Sequence, residues 1–118
     1  PLSEVLTDVT TELDVIDVAT HTEVPNLYVT PLDPNLRNAE DLIGTRMGKE
    51  FVLRDALQVA RTHYDVIVID CPPNLGNLSV NGLVAADEVI IPCAPSPLAL
   101  SGVHALALQI NCSLPTQK

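Results

Sequence analysis

The clearest candidate for chemistry is a proline-rich turn that follows the most apolar strand-like run of the sequence. Residues 64–70 read Tyr-Asp-Val-Ile-Val-Ile-Asp, and Cys-Pro-Pro-Asn-Leu-Gly follows Asp70. In open α/β sheets, ligands bind beyond the carboxyl ends of the strands, where a carboxylate can hold Mg²⁺ beside a phosphate. The two prolines keep the chain extended, and Gly76 loosens the turn into the next helix. Asp70 is therefore the first candidate for a magnesium ligand.

Other interpretations of the candidate residues stay open at this point. An aspartate that ends a strand commonly caps or turns the following loop without touching a ligand. Cys71 has the chemistry of a nucleophile, but no histidine neighbours it in the sequence, and a small buried thiol is the simpler interpretation. The three histidines are scattered over different predicted elements, which disfavours a metal cluster. Asp33, in another proline-rimmed turn, is interpreted as a turn residue.

A second segment imitates a phosphate-binding loop. Residues 44–50 read Gly-Thr-Arg-Met-Gly-Lys-Glu, whereas a phosphate loop has about four residues between its glycines and Ser or Thr after the lysine. Glu50 replaces the hydroxyl that binds magnesium, and the segment follows a predicted helix instead of a strand. We interpret it as a helix that ends at Gly44 and continues into a polar connection.

Strand-like runs and helical periodicity alternate along the chain. Three apolar runs predict strands, and the later two lack polar alternation, as in parallel strands covered on both faces. This alternation predicts a single α/β domain over residues 1–118, with about three strands in a mostly parallel, three-layer sheet. The predicted strands are 27–30, 64–70 and 88–92, and the predicted helices are 38–47, 50–63, 77–86 and 97–111. A further helix is suggested at 2–19, although β-branched residues leave its second half ambiguous.

Two details support the predicted helices. In the helix at 50–63, four apolar residues recur at the spacing of one core-facing stripe: Leu53, Ala56, Leu57 and Ala60. Ser96 directly before Pro97 predicts an N-cap followed by proline in the first helical position.

Composition and charge narrow the class of protein. The chain has 118 residues, of which 47% are apolar and 18% charged, so it is predicted to fold rather than to be disordered. Fifteen acidic against six basic residues give a net charge of −9, which disfavours unaided binding to a phosphate backbone. The mean hydropathy of +0.27 is high for a small domain and predicts either partners or missing neighbouring elements.

The sequence also indicates a compartment. The apolar stretch at 89–108 contains three prolines, so no membrane span is predicted, and no signal peptide is visible at the amino end. The three cysteines, among them Cys112, are odd in number and form no Cys-x-x-Cys pair, which disfavours a disulfide framework or a zinc site. A reducing cytoplasm is the expected location.

Residues 64–106 closely resemble the ParA/Soj branch of the ParA/MinD family of partition ATPases, in the block that begins at the Walker B strand. The most specific elements are Asp-Cys-Pro-Pro at 70–73 and Ala-Ala-Asp-Glu-Val at 85–89. Upstream, the strand near Tyr28, the pair at 39–40 and the segment at 51–57 are similar to the same family. The resemblance implies a deviant P-loop NTPase fold, an ATP-dependent dimer that binds DNA, and a centromere-binding partner that stimulates hydrolysis.

The resemblance also implies roles for individual residues. Asp70 matches the Walker B aspartate, which in the family helps to hold the magnesium shell beside ATP. Ser101 stands where many relatives carry Glu, before the glycine matched by Gly102, which puts any role of that glutamate in doubt. The family's switch segment is matched by Pro72, Pro73, Asn74 and Gly76.

The parts of the family that this chain does not match predict that the chain lacks groups needed for catalysis. The family's phosphate loop lies before the region matched by this chain, and its adenine-contacting segments lie beyond Lys118. Since phosphoryl transfer depends on an amide cradle and a lysine, we expect residues 1–118 to be the central segment of a partition ATPase and to be inactive alone, binding nucleotide only weakly. The alternative is a short, non-enzymatic interaction module descended from such an ATPase; a relative acting in cell-division placement or metal-cluster assembly is a more remote one.

The family strand that leads into the phosphate loop lies outside the matched region, and the absence of that strand also predicts association. In the family it would lie next to the Walker B strand, and its absence leaves an apolar edge at 66–69 that favours dimers or higher oligomers. Neither DNA nor the centromere-binding partner is expected to bind this acidic chain alone.

Overall fold

The computed structural model describes the backbone of residues 1–113 and the side chains of residues 1–110. In this part of the chain helices dominate, and the sheet is a short hairpin of β1, Thr20–His21, and β2, Tyr28–Val29. A 3-10 turn, Lys49–Phe51, precedes α4. The α-helices are α1 (Leu2–Thr7), α2 (Val15–Val18), α3 (Leu36–Gly44), α4 (Val52–Ala56), α5 (Gln58–His63), α6 (Asn77–Ala85) and α7 (Pro97–Ser113).

The helix suggested at 2–19, whose second half was ambiguous, consists of two short helices. After α1 ends, the carboxylate of Asp8 accepts hydrogen bonds from the backbone N–H and the hydroxyl of Thr10, at 2.9 and 2.7 Å. Asp14 then begins α2 in a capping box with Asp17. These local side-chain bonds compete with the helical pattern, so the suggested helix forms over Leu2–Thr7 and its ambiguous second half contains the separate, shorter α2.

The helix predicted at 50–63 is confirmed in its buried face and divided in its backbone. A 3-10 turn begins it, and α4 and α5 meet at Leu57. Leu57 and Ala60 are only 5% and 1% exposed, and they form a core cluster with Val15 of α2 and Ala85 of α6. Leu53 and Ala56 pack against this cluster. The apolar stripe thus places the core between α2, α5 and α6.

The hairpin corrects the first predicted strand. Residues 28–29 do form a strand, but it pairs antiparallel with β1, with Thr20 opposite Val29 and His21 opposite Tyr28. The rings of His21 and Tyr28 lie 4.4 Å apart, and Tyr28 in turn lies 5.4 Å from Tyr64. This row of rings connects the hairpin to the segment that follows α5.

The predicted strands at 64–70 and 88–92 are not strands in this structure. Among residues 1–113 neither segment has a ladder partner, so the predicted mostly parallel, three-layer sheet is not formed there. Extended backbone becomes a strand only when a neighbouring segment supplies hydrogen bonds. An apolar run alone therefore does not ensure that a strand forms. Val66, Val68 and Ile90 are 77%, 87% and 88% exposed, which leaves apolar surface uncovered.

The last two helices match their predictions closely. α6 spans Asn77–Ala85, and α7 begins at Pro97, where the Ser96 hydroxyl oxygen accepts a hydrogen bond of 3.2 Å from the N–H of Ala99. The predicted N-cap is therefore confirmed. Within residues 1–113, no helix combines the length and the apolar character needed to cross a membrane.

Candidate functional site

The loop at residues 70–76 joins the extended segment 64–70 to α6. Ile67 and Ile69 pack against the core cluster, whereas Val66 and Val68 are exposed. This alternation is that of an extended chain with one covered face, and Asp70 continues its exposed side. The arrangement presents the Asp70 carboxylate to solvent at the start of the loop.

Two contacts anchor this loop on α6. The hydroxyl of Ser79, a residue only 2% exposed, donates to the carbonyl oxygen of Pro72 at 3.4 Å. The sulfur of Cys71 lies against Gly82, where an added Cβ would come within 2.6 Å of it. The first half of the loop therefore depends on small residues on one face of α6.

The second half of the loop is closed by Asn74. Its side-chain oxygen accepts a hydrogen bond of 3.1 Å from the N–H of Gly76, two residues later. Gly76 is the N-cap residue of α6 and provides no side chain to satisfy the first N–H groups of the helix. Asn74 therefore fixes the path of the chain into α6 but leaves the helix without a local cap.

A carboxylate from α3 takes over that capping function. The Oε1 atom of Glu40 accepts a hydrogen bond of 3.3 Å from the N–H of Leu78, in the first turn of α6. The side-chain amide of Asn77 is 3.5 Å from the carbonyl oxygen of Glu40, to which it donates. Sequence reasoning included Glu40 in the family resemblance at 39–40 but gave it no role; its position three residues before the fully buried Ile43 was the available signal.

The thiol of Cys71 is poorly suited to be a nucleophile. Burial of the sulfur raises its pKa, and the negative charge of the neighbouring Asp70 raises it further. The thiolate is therefore less populated at neutral pH than in an ordinary cysteine. The expectation of a buried residue was only partly right, since Cys71 is exposed as a whole while its sulfur packs against Gly82.

Asp70 fits one limited kind of magnesium site. Magnesium in nucleotide sites is commonly held by one or two carboxylates, with phosphate oxygens and waters completing its shell. Among the residues that the structure describes, no group of three His, Cys, Asp or Glu side chains is placed to hold a metal. The chemistry of the donor set therefore suits a metal that arrives with its nucleotide, with Asp70 providing a single carboxylate.

The segment that imitates a phosphate loop is a connection, as predicted. α3 ends at Gly44, and the guanidinium of Arg46 donates to the carbonyl oxygen of Leu6 at 2.9 Å, which fixes the connection to α1. Gly48 adopts a left-handed conformation with φ of 68° before the 3-10 turn. Ser101 and Gly102, the other pair singled out by the family resemblance, are exposed on α7.

Asn81 is a buried polar residue that the sequence did not single out. It is 2% exposed and accepts a hydrogen bond of 3.0 Å from the N–H of Leu53. Its amide donates to the carbonyl oxygens of Lys49 and Asn77, at 2.7 and 2.8 Å. Asn81 therefore holds α6 against the 3-10 turn and the start of α4.

Comparison with known proteins gives a consistent result. Residues 2–115 match a family described as an AAA domain. The chain is 44% identical to the chromosome partitioning protein ParA of Myxococcus xanthus over 90 residues, which is 76% of this chain and 32% of the relative.

Two further relatives have similar coverage. The chain is 41% identical over 95 residues to the sporulation initiation inhibitor protein Soj of Bacillus subtilis, covering 80% of this chain and 38% of Soj. It is 40% identical over 102 residues to ParA of Caulobacter vibrioides, covering 85% of this chain and 38% of that relative. The chain thus spans about a third of the length of these relatives. No solved structure gives a significant match to the chain.

Proposed function

This chain belongs to the AAA domain family, in the ParA/Soj group of partition ATPases, and we propose that it forms the central, Walker B-containing segment of such an ATPase. The family implies a P-loop NTPase-like fold. The observation that carries the proposal is the position of Asp70: an exposed carboxylate between an inward-packed extended segment and a loop fastened to α6.

In the proposed function, Asp70 holds part of the coordination shell of Mg²⁺. Bound with ATP, that cation neutralises charge on the phosphates. The loop residues Pro72, Pro73, Asn74 and Gly76 act as the switch segment, and their own contacts define what they do. The prolines restrict the backbone, and the hydrogen bond from Gly76 to Asn74 closes the turn into α6. A loop held in this way keeps Asp70 in one place relative to the helix.

We also propose that segments 64–70 and 88–92 become parallel strands when a neighbouring strand is present. The inward packing of Ile67 and Ile69 supports this, because one face is already covered by helices. The exposure of Val66 and Val68 supports it further, since a second layer would cover that face. The three-layer arrangement would then require chain outside residues 1–113.

We propose the partners from the family, because the negative charge of this chain does not by itself indicate them. In the complete ATPase we propose an ATP-dependent dimer, non-specific DNA and a centromere-binding protein as partners. With a net charge of −9, residues 1–118 are expected to leave DNA unretarded in a gel shift at physiological salt. Retarded DNA would contradict this part of the proposal.

ATP hydrolysis tests the proposal. The assay uses the 118-residue chain alone and joined to segments of the Myxococcus xanthus relative: the phosphate-loop segment at its amino end and the segment that follows the matched region at its carboxyl end. We expect no saturable hydrolysis by the chain alone and magnesium-dependent hydrolysis by the joined chain, abolished by Asp70→Ala. The matched control is Asp65→Ala, which removes another exposed aspartate of the same segment. Equal activity of the two joined variants would contradict the role of Asp70.

A second candidate function is a non-enzymatic, oligomeric interaction module, and the exposed apolar segments favour it. Val68 and Ile90 are 87% and 88% exposed, a condition that promotes association through uncovered edges. Light scattering at micromolar concentration should then show dimers or larger species. If the joined chain never hydrolyses ATP while the chain alone associates stably, this second function is the better one.

A further inference from the structure

We infer that Glu40 is a positioning residue that sets the loop at residues 70–76 in place by capping α6 from α3. This inference rests on the proposed function for its significance, because the positioned loop begins at Asp70. Its geometry is independent of that function. The Oε1 atom of Glu40 accepts the Leu78 N–H at 3.3 Å across a separation of 38 residues.

The physical basis is the unsatisfied start of α6. The first N–H groups of a helix lack partners within the helix, and they carry the positive end of its dipole. The N-cap residue, Gly76, contributes no side-chain hydrogen bond. A carboxylate from another helix meets both needs, since it accepts a hydrogen bond and supplies negative charge.

The carboxylate of Glu40 lies where a side chain at position 76 would lie. An added Cβ at Gly76 would collide with the Oε1 atom of Glu40 and would lie 3.2 Å from Oδ1 of Asn74. The backbone of Gly76 has φ of −71°, which any residue adopts, so space and not conformation explains the glycine. The Glu40 carboxylate can therefore keep this position only if residue 76 has no side chain, because a Cβ there would displace the flexible end of Glu40.

A second close approach, between Gly44 and Asn77, lies at the same contact between α3 and α6. At Gly44, the last residue of α3, an added Cβ would lie 2.6 Å from the side-chain nitrogen of Asn77. The same nitrogen donates to the carbonyl oxygen of Glu40. The end of α3 and the start of α6 thus meet closely at two glycines, Gly44 and Gly76, and at the Glu40 carboxylate.

Amide hydrogen exchange of the 118-residue chain without nucleotide tests this inference, so the outcome does not depend on Asp70 binding magnesium. Glu40→Ala should accelerate exchange at Leu78 and Gly76 by about tenfold or more, as expected for loss of a hydrogen bond to a charged group. Glu40→Gln keeps an acceptor oxygen and should restore most of the protection. The matched control is Asp41→Ala, which removes the adjacent exposed carboxylate of α3.

A double-substitution cycle gives the decisive result. Gly76→Ala should accelerate exchange at Leu78 when Glu40 is present and much less in the Glu40→Ala background, because the clash is then relieved. Additive effects, or unchanged Leu78 exchange in Glu40→Ala, would overturn the inference. Leu57, a core residue whose N–H donates to the carbonyl oxygen of Leu53 at 2.9 Å, reports global unfolding. If Glu40→Ala accelerates exchange at Leu57 as much as at Leu78, the Glu40→Gln variant decides: lost protection at Leu78 with Leu57 still protected overturns the inference, and retained protection at both supports it.

Discussion

The carboxylate of Asp33 accepts a hydrogen bond of 2.7 Å from the backbone N–H of Ser3, which lies 30 residues earlier in the chain. Its other oxygen accepts from the N–H of Asn35 at 2.9 Å. Asp33 was predicted to be a turn residue, which this second bond confirms. The bond to Ser3 adds a tertiary role, because it fastens α1 to the turn before α3. Hydrogen bonding by Ser3, through its side chain and its backbone N–H, lowers the pKa of Asp33.

We expect Asp33 to make the fold sensitive to acid. Its pKa in the folded chain is below the ordinary value of 3.8, so its stabilising effect is complete above that value and is lost as the pH falls through the lowered pKa. Asp33→Asn should lower the urea midpoint at pH 7, and the difference from the unsubstituted chain should shrink below about pH 4. Circular dichroism during urea unfolding at several pH values measures this.

The control for acid sensitivity is Asp41→Asn, at an exposed carboxylate of α3. It should leave the pH dependence of the urea midpoint nearly unchanged. An Asp33→Asn variant as stable as the unsubstituted chain at pH 7 would contradict the prediction.

Asn81→Leu should destabilise the fold. The substitution keeps the branched shape of the side chain but leaves the partly buried N–H of Leu53 and the carbonyl oxygen of Lys49 without their partner. We expect the free energy of unfolding to fall by about 1–3 kcal/mol, the cost of an unsatisfied buried polar group. Chemical denaturation gives the value. Asn38→Leu, at an exposed asparagine of α3, is the control and should change stability by less than about 0.5 kcal/mol.

Asp70→Asn should make Cys71 more reactive. Burial first and the charge of Asp70 second raise the pKa of the thiol, so removal of that charge lowers the pKa and increases the thiolate fraction near pH 8. Iodoacetamide alkylation, followed by mass spectrometry of the Cys71 peptide, measures the rate, with exposed Cys93 as internal reference. An unchanged ratio of the two rates would show that the Asp70 charge does not reach the thiol.

The ion pair between Arg61 and Asp87 should contribute little by itself. One guanidinium nitrogen lies 2.8 and 3.0 Å from the two carboxylate oxygens, but the side chains are 44% and 79% exposed. Asp87→Asn should therefore change the free energy of unfolding by less than about 1 kcal/mol. Arg61→Ala should cost more, because it also removes the hydrogen bond of 3.2 Å to the carbonyl oxygen of Ala85. Urea unfolding compares the two, and a larger effect of Asp87→Asn would contradict this order.

Much of the helical part of the fold could be predicted from local patterns. The spacing of Leu57 and Ala60 identified a buried face, and the pair Ser96 and Pro97 located the start of α7. These predictions succeeded because helical periodicity and capping act between residues a few positions apart. The helix suggested at 2–19 is divided where Asp8 and Asp14 make local bonds that end one helix and begin another, and the break falls in the half that the sequence left ambiguous.

The sequence by itself also determined the candidate site and the family, because Asp70 and the loop that follows form a local motif whose residue types are informative. Tertiary structure alone decided what holds that motif. The bond from Leu78 to Glu40 spans 38 residues and that from Ser3 to Asp33 spans 30, and no local pattern encodes such pairings. It also decided that segment 64–70 packs on helices without becoming a strand in the described chain, because a strand needs the backbone of a neighbour as well as its own apolar side chains.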